Sequence, residues 1–376
     1  MAKKKNFEKK TLIVSFSILI AALVLLVVGL NFFFSPSDSG ADQNNEVQSF
    51  RYSNSSVMLA VVGDCNGYNL LKSGSGDIDP LLSVRPMINQ SDVFVFNMEG
   101  VILRSDQLHS AVKYPNQSSF ISPPVFAKYM KSENITVANL ANNHILDGGA
   151  TGIEETKNSL DKSGIMFLGA GSNAAEACQP LILTVKGTRI GFLSYDLINP
   201  SVFSAGRDTP GAGSFLICNV TKSIRYLKEK SDIVVVFLHW GEPWSDSIDD
   251  YQMTIARQLS DTGADLVIGH HSHMLQGIGR YNNTLVFYGL GNFLLNTDYE
   301  MPPDSRKSMI AFIEIRDQKV QGCYLYPVVL DNNGFPQPAP GNERDNILLH
   351  LENLSEPYRT KIINENGTGV IRNISF

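Results

Sequence analysis

The 376-residue sequence predicts an α/β fold, layers of strands and helices set behind one N-terminal membrane-spanning helix. Three observations carry this. From residue 57 onward, short apolar runs alternate with stretches of helical period. The runs are rich in β-branched residues and often apolar throughout, as strands covered on both faces are. Residues 11–34 (TLIVSFSILIAALVLLVVGLNFFF) carry no charge, and at ~1.5 Å per residue such a helix spans a hydrocarbon core of ~30 Å.

Residues 1–10 hold five Lys and one Glu, a basic stub expected to stay in the cytoplasm. The apolar run is longer than the ~7–15 residues of a signal peptide, and no small-residue cleavage site follows it. The expectation is an uncleaved, single-pass anchor in the cell membrane, with the bulk of the chain extracellular. Residues 35–55 are polar without apolar period and read as a linker. The predicted domain occupies 56–340. Its strand candidates are 57–63, 92–97, 135–140, 189–195, 232–239, 265–269, 284–290 and 309–315. Helices are expected over 122–131, with Ser122 as cap and Pro123 in the first turn, over 149–162, and over 249–262, where Tyr251, Ile255 and Leu259 form one stripe before Gly263. Residues 341–376 are expected to be a surface extension.

The chain is 43% hydrophobic and 18% charged, which excludes a disordered protein, a collagen and a coiled coil. The net charge is −6, and because the stub contributes +4 the remainder carries −10. So acidic a body predicts no nucleic-acid partner. Nine Asn-x-Ser/Thr sequons are compatible with an exported glycoprotein. The four Cys contain no C-x-x-C pair, so a structural zinc site is not expected; disulfides and buried free thiols both remain open.

In α/β folds ligands bind at the carboxyl ends of strands. The residues closing the apolar runs here are Gly63-Asp64, Asn97-Met98-Glu99, Asn142-Asn143-His144, His239-Trp240-Gly241, His270-His271-Ser272-His273 and Gly291-Asn292. Taken singly, each has a bland reading as a turn, a helix cap or a buried histidine. Together they place hard oxygens and imidazoles in one relation to the strands, a mixture that suits divalent ions such as Mn, Fe or Zn. Two such ions ~3.5–4 Å apart bind a bridging water and hold an anionic group. No phosphate-binding loop, nucleophile elbow or dinucleotide fingerprint competes with this.

The ordered set GD (63–64), NxEG (97–100), ANNH–D (141–147), FLSY (192–195), HWGEPW (239–244), GADLVIGHHSH–LQG (263–277) and YGLGNFL (288–294) resembles the CapA family, also called PgsA, of poly-γ-glutamate capsule synthesis proteins. That family belongs to the calcineurin-like metallophosphoesterase superfamily. The resemblance implies a four-layered α/β/β/α sandwich with one or two divalent metal ions. It implies Asp64, Glu99, Asn143, His239, His271 and His273 as metal ligands and His144 as the general acid, with Asn97 and His270 in supporting places. The first motif departs from the wider superfamily: Asp64-Cys65-Asn66 lacks the imidazole of Asp-x-His, and Glu99 stands where a bridging Asp is usual.

The function implied is a membrane-anchored, extracellular hydrolase or transferase of surface-polymer biosynthesis, in which metal-bound hydroxide attacks and His144 protonates the leaving group. Its implied partners are membrane polymer synthase subunits, an anionic surface polymer or its precursor, and the bilayer through residues 11–34. The alternative is a non-catalytic subunit that binds the polymer or holds a synthase complex together.

Overall fold

The computed structural model describes residues 56–68, 70, 78–112, 119–295, 301–372 and 374. The expected stub, anchor and linker lie outside them, and among the described residues no helix is long and apolar enough to cross a membrane. The principal strands are β1 (Val57–Cys65), β2 (Val93–Met98), β3 (Ile135–Asn139), β4 (Met166–Leu168), β5 (Leu181–Val185), β6 (Thr188–Asp196), β7 (Ile233–His239) and β8 (Leu266–His270). They continue with β9 (Ile278–Tyr281), β10 (Thr284–Phe287), β11 (Asn292–Leu294), β12 (Lys307–Arg316), β13 (Lys319–Leu330), β14 (Pro336–Pro338), β15 (Ile363–Glu365) and β16 (Thr368–Arg372). The longer helices are α1 (Val125–Met130), α2 (Gly149–Lys162), α3 (Val220–Lys230), α4 (Asp250–Thr262) and α5 (Gly341–Ser355).

Two mixed sheets result. The first runs β15-β16-β13-β12-β1-β2-β3-β4, with β11 beside β1 and β14 beside β13. The second runs β9-β10-β8-β7-β6-β5. β1 to β4 are mutually parallel, as are β6, β7, β8 and β10; antiparallel hairpins finish both sheets. Period 2 sorts the apolar residues. Val57, Leu59 and Val61 of β1 share one core with Phe192, Val235 and Ile268 of the second sheet. Their neighbours Met58, Ala60 and Val62 face the other way and pack with Phe126 and Met130 of α1 and Ile153 and Leu160 of α2. On the second sheet, Leu193, Val234 and Val267 pack with Ile224 and Leu227 of α3 and Ile255 and Leu259 of α4. Strands buried on both faces explain why these runs show no alternation.

The caps follow local chemistry. Asp249 and Gln252 form a capping box at α4, and Gly263 ends that helix at φ 114°, a left-handed conformation that glycine adopts without a Cβ clash. Asn219 caps α3, its side chain accepting from Lys222 N at 3.0 Å. α1 corrects one expectation: it begins at Val125, with Pro124 as N-cap. Ser122 is spent elsewhere, its hydroxyl accepting from Gly67 N at 2.7 Å. Residues 341–372 also differ from the surface extension expected over 341–376. Ile347, Leu348 and Leu351 of α5 enter the core between the sheets, and β16 pairs with β13. The helical spacing of ILLHL outweighs the Pro and Asn around it. Of the cysteines, Cys178 and Cys218 form a disulfide, whereas Cys65 and Cys323 are buried free thiols.

The register positions the site. Asp64 is level with Asn97, and Asn97 with Asn139, across the carboxyl edge of the first sheet. His239 is level with both Asp196 and His270 across the carboxyl edge of the second. Each sheet therefore presents a row of polar side chains at one end.

Candidate metal centre

Asp64 closes β1 where the backbone is pinned from two sides. Its N–H donates to Gly291 O at 3.0 Å, and a Cβ at Gly63 would lie 1.9 Å from that same oxygen, so only glycine fits before Asp64. Asp64 Oδ1 accepts from Asn97 Nδ2 at 2.7 Å and Oδ2 from His271 N at 3.2 Å. Asn97 is held in turn by Asn139, whose Nδ2 donates to its Oδ1 at 2.7 Å, and Asn139 Oδ1 accepts from Ser194 Oγ. This chain of amides fixes one face of the carboxylate.

Glu99 follows β2 and is wholly buried. Among the described residues neither carboxylate oxygen has a hydrogen-bond partner. Oε1 instead lies 3.5 Å from His239 Nε2 and 3.7 Å from His273 Nε2. His239 Nε2 is also 3.2 Å from His271 Nδ1 and 2.9 Å from Asn143 Oδ1. His271 and His273 reach the same place because both adopt left-handed backbone, φ 86° and 55°. For non-glycine residues that costs of order 1–3 kcal/mol and persists only where surrounding structure enforces it. His273 Nδ1 is 2.9 Å from Asn292 Oδ1 and 3.4 Å from Asp64 Oδ2, and Trp244 stacks on its ring at 4.7 Å.

Two ligand groups emerge with Glu99 in both. Asp64, Glu99 and His273 form one; Glu99, His239 and His271 form the other; in each the donor atoms lie within 4.8 Å of one another. The electrostatics match. Burial pushes His239 and His271 well below the usual imidazole range, leaving neutral rings with lone pairs to offer. Burial raises the Glu99 carboxyl and Asp64 adds to the effect, against the pull of the nearby histidines. Burial works against an ionised Asp64 too, but the hydrogen bond and charge of His273, with His270 and His239, hold that carboxyl well below its ordinary value. His273 is the exception among the imidazoles: burial is outweighed by Glu99 and Asp64, which lift it to about 9. A buried carboxylate without a hydrogen bond, facing neutral imidazole nitrogens, is the donor set a divalent cation satisfies.

The structure brings Asp64, Glu99, Asn143, His239, His271 and His273 together. His144 stands beside them, its Nδ1 2.8 Å from Asp147 Oδ2 and its ring stacked on Phe120 at 4.2 Å. Asp147 Oδ2 also accepts from Phe120 N at 2.6 Å, so one carboxylate orients both rings of the stack. Burial raises the Asp147 carboxyl despite His144. His270 belongs to neither ligand group: its Nε2 donates to Val62 O at 3.2 Å, and it acts as a support behind the site. Asn66 uses its Oδ1 to accept from Tyr68 N at 3.2 Å. The Cys65 thiol, pushed up by burial and by Asp64, donates to Gly63 O at 3.5 Å.

Sequence reasoning assigned no role to Asp147, Asn292, Trp244 or Asp196. The first two were legible as polar residues in the same strand-end motifs. Trp244 has no signal beyond its place after HWG, because stacking on His273 depends on how the loop folds back. Asp196 is wholly buried and level with His239; its Oδ1 accepts from Ile198 N at 3.1 Å, its Oδ2 has no hydrogen-bond partner among the described residues, and burial pushes its carboxyl well up.

Comparison with known proteins agrees with the motifs. The chain is 33% identical over 227 residues to the PGA biosynthesis protein CapA of Bacillus subtilis, covering 59% of this chain and 58% of that one. It is 30% identical over 260 residues to the capsule biosynthesis protein CapA of Bacillus anthracis, covering 68% and 62%. The chain thus spans about three fifths of the length of these curated relatives. Among solved structures, the NAD nucleotidase of Haemophilus influenzae aligns at 14% identity with a TM-score of 0.44, over 79% of this chain and 56% of that one. The model of the bacterial capsule synthesis protein family, PGA_cap, matches residues 58–297. That stretch contains both ligand groups and His144, and the chain belongs to the PGA_cap family.

Proposed function

We propose that this chain acts in the biosynthesis of poly-γ-glutamate or a comparable anionic surface polymer, as a metal-dependent hydrolase or transferase built on a metallophosphoesterase-like α/β/β/α sandwich. The process follows from the relatives, both named for capsule or PGA biosynthesis. The observation that carries the chemistry is Glu99, buried, without a hydrogen bond and common to two ligand groups.

Asp64, Glu99 and His273 would hold one divalent ion, and Glu99, His239 and His271, with Asn143 Oδ1 alongside, a second. Mn, Fe or Zn suits these donors. Such ions polarise an anionic group and make water a nucleophile at neutral pH. The chain's own residues do the rest. Asn97, held by Asn139, keeps Asp64 turned toward the centre. Asp147 engages His144 Nδ1, which leaves Nε2 as the nitrogen that yields a proton to a leaving group. Phe120, stacked on His144, and Trp244, stacked on His273, limit the freedom of those two rings.

The setting we propose is the outer face of the cell membrane, with residues 11–34 as the anchor and synthase subunits as partners. The uncharged apolar run and the Cys178–Cys218 disulfide, a bond typical of oxidising compartments, support it. The test is elemental mass spectrometry on the full chain purified in detergent, with the metal-loaded protein assayed against phosphoesters and γ-glutamyl amides. About two equivalents of metal and turnover are expected. Folded protein that takes up no metal when metals are supplied would end the hydrolytic reading.

One observation favours a second reading, a polymer-binding or scaffolding subunit: Asn66 occupies the place of an imidazole and spends its carbonyl on the backbone. Under that reading His271→Ala/His273→Ala cells make as much polymer as wild type; under the first they make none.

A further inference from the structure

A second polar site lies at the opposite end of the second sheet. The metal-centre histidines lie at the carboxyl ends of β7 and β8, whereas Tyr281 and Asn282 precede β10, which runs parallel to β8, and so sit at its amino edge. There a cavity of about 470 Å³ is lined by Arg257 and Asp261 of α4, Arg280 and Tyr281 of β9, and Tyr358 and Arg359 of the turn after α5. Three arginines and one aspartate thus line this cavity, in a chain whose net charge is −6. Asp261 is engaged by Asn282 Nδ2 at 3.2 Å. Among the described residues neither Arg257 nor Arg359 forms an ion pair with an acid.

The cluster is built into the fold. Arg257 lies over the Tyr281 ring at 5.6 Å, and the Tyr281 hydroxyl is tied to that of Tyr288 at 2.7 Å. Arg280 Nη2 donates to Ile374 O at 2.8 Å. Arg359 adopts left-handed backbone, φ 63°, a conformation that is unfavourable for a residue with a side chain and here ends the turn beside the cavity.

We propose that this groove binds a chain of carboxylates, a segment of an acidic polymer held away from the metal centre. Guanidinium forks match carboxylates in two parallel hydrogen bonds. The faces of Tyr281 and Tyr358 suit the apolar links between successive carboxylates. The polymer's identity rests on the function proposed above; the groove does not.

The test is binding of the full chain in detergent to immobilised poly-γ-glutamate, by interferometry. Wild type is expected to bind, more weakly as salt rises. Arg257→Ala/Arg359→Ala, both exposed positions, is expected to weaken binding about tenfold or more, the loss of one or more charge-assisted hydrogen bonds. His271→Ala/His273→Ala is expected to bind like wild type. Unchanged binding in the arginine variant, or loss confined to the histidine variant, overturns the groove. Binding of orthophosphate but not of the polymer, lost in the arginine variant, overturns the ligand class. Failure of the function proposed above is read separately, from polymer production in cells carrying the histidine variant.

Discussion

His239 Nε2 and His271 Nδ1 face each other at 3.2 Å inside a buried site, nitrogen to nitrogen. Both rings are held neutral by burial, so at most one proton can lie between them. Two neutral imidazoles aimed at one point, with Glu99 Oε1 3.5 Å from the first, make an arrangement that a cation completes.

Because Glu99 is common to both ligand groups and the histidines are not, substitutions should separate the sites. Glu99→Gln is expected to lose nearly all bound metal. His271→Ala should lose about one equivalent of two, and His273→Ala about one, from the other group. Elemental analysis of the three full-length variants checks this. Equal losses in all three would mean a single ion.

The raised His273 makes metal binding a proton exchange. Its pKa of about 9 in the folded chain means it is protonated at pH 7, whereas a ligand must offer a lone pair. Binding near pH 7 should release about one proton, and affinity should rise with pH until about 9 and then level off. Calorimetry in buffers of different ionisation enthalpy measures the release. The sign for the metal-free fold is opposite: the stability that His273 contributes is complete below its unfolded value of 6.5 and is lost as pH rises through about 9. His273→Gln should flatten both dependences.

Asp147 carries two hydrogen bonds on one oxygen, from Phe120 N and with His144 Nδ1. Asp147→Asn can still accept one of them, but it removes the carboxylate charge beside the ring, and its amide can donate to Nδ1 and so change the His144 tautomer. Turnover should fall by roughly 10²–10⁴, the size of a general-acid contribution, with metal content unchanged. Nitrogen-15 NMR of His144 reports the tautomer directly. Asp147→Ala should in addition destabilise the fold by about 1–3 kcal/mol, since it strands the buried Phe120 N–H.

The Cys178–Cys218 bridge closes a loop of 40 residues around β5 and β6. Chain entropy assigns such a loop roughly 4 kcal/mol. Cys178→Ala/Cys218→Ala, or wild type in reductant, should unfold several degrees lower in a thermal scan. No change would show that the bridge does not form.

How much was legible follows from the range of the interactions. The strands were readable because strands covered on both faces must be apolar throughout, and β1, β2, β6 and β7 begin and end within about two residues of their expected places. The 249–262 helix was readable from Asp249, Gln252 and Gly263, whose capping chemistry is local. β13 was not foreseen, although it is 12 residues long: its exposed and buried residues are set by pairing with β12 and β16, partners on either side in sequence. α5 was obscured for the same reason, since its apolar face matters only once a core exists to receive it.

By itself the sequence determined the alternation of strand and helix, the strand-end placement of Asp64, Glu99, Asn143, His144, His239, His271 and His273, and the membership their order implies. Those depend on residue type and spacing along one chain. The tertiary structure decided what no spacing contains: that Glu99 is shared, that His270 turns to Val62 while His271 and His273 turn inward, that Asp147 holds His144, and that Arg257, Arg280 and Arg359 meet in one groove. Each joins residues far apart in sequence or hangs on a single backbone dihedral, and only the packing of two sheets sets those.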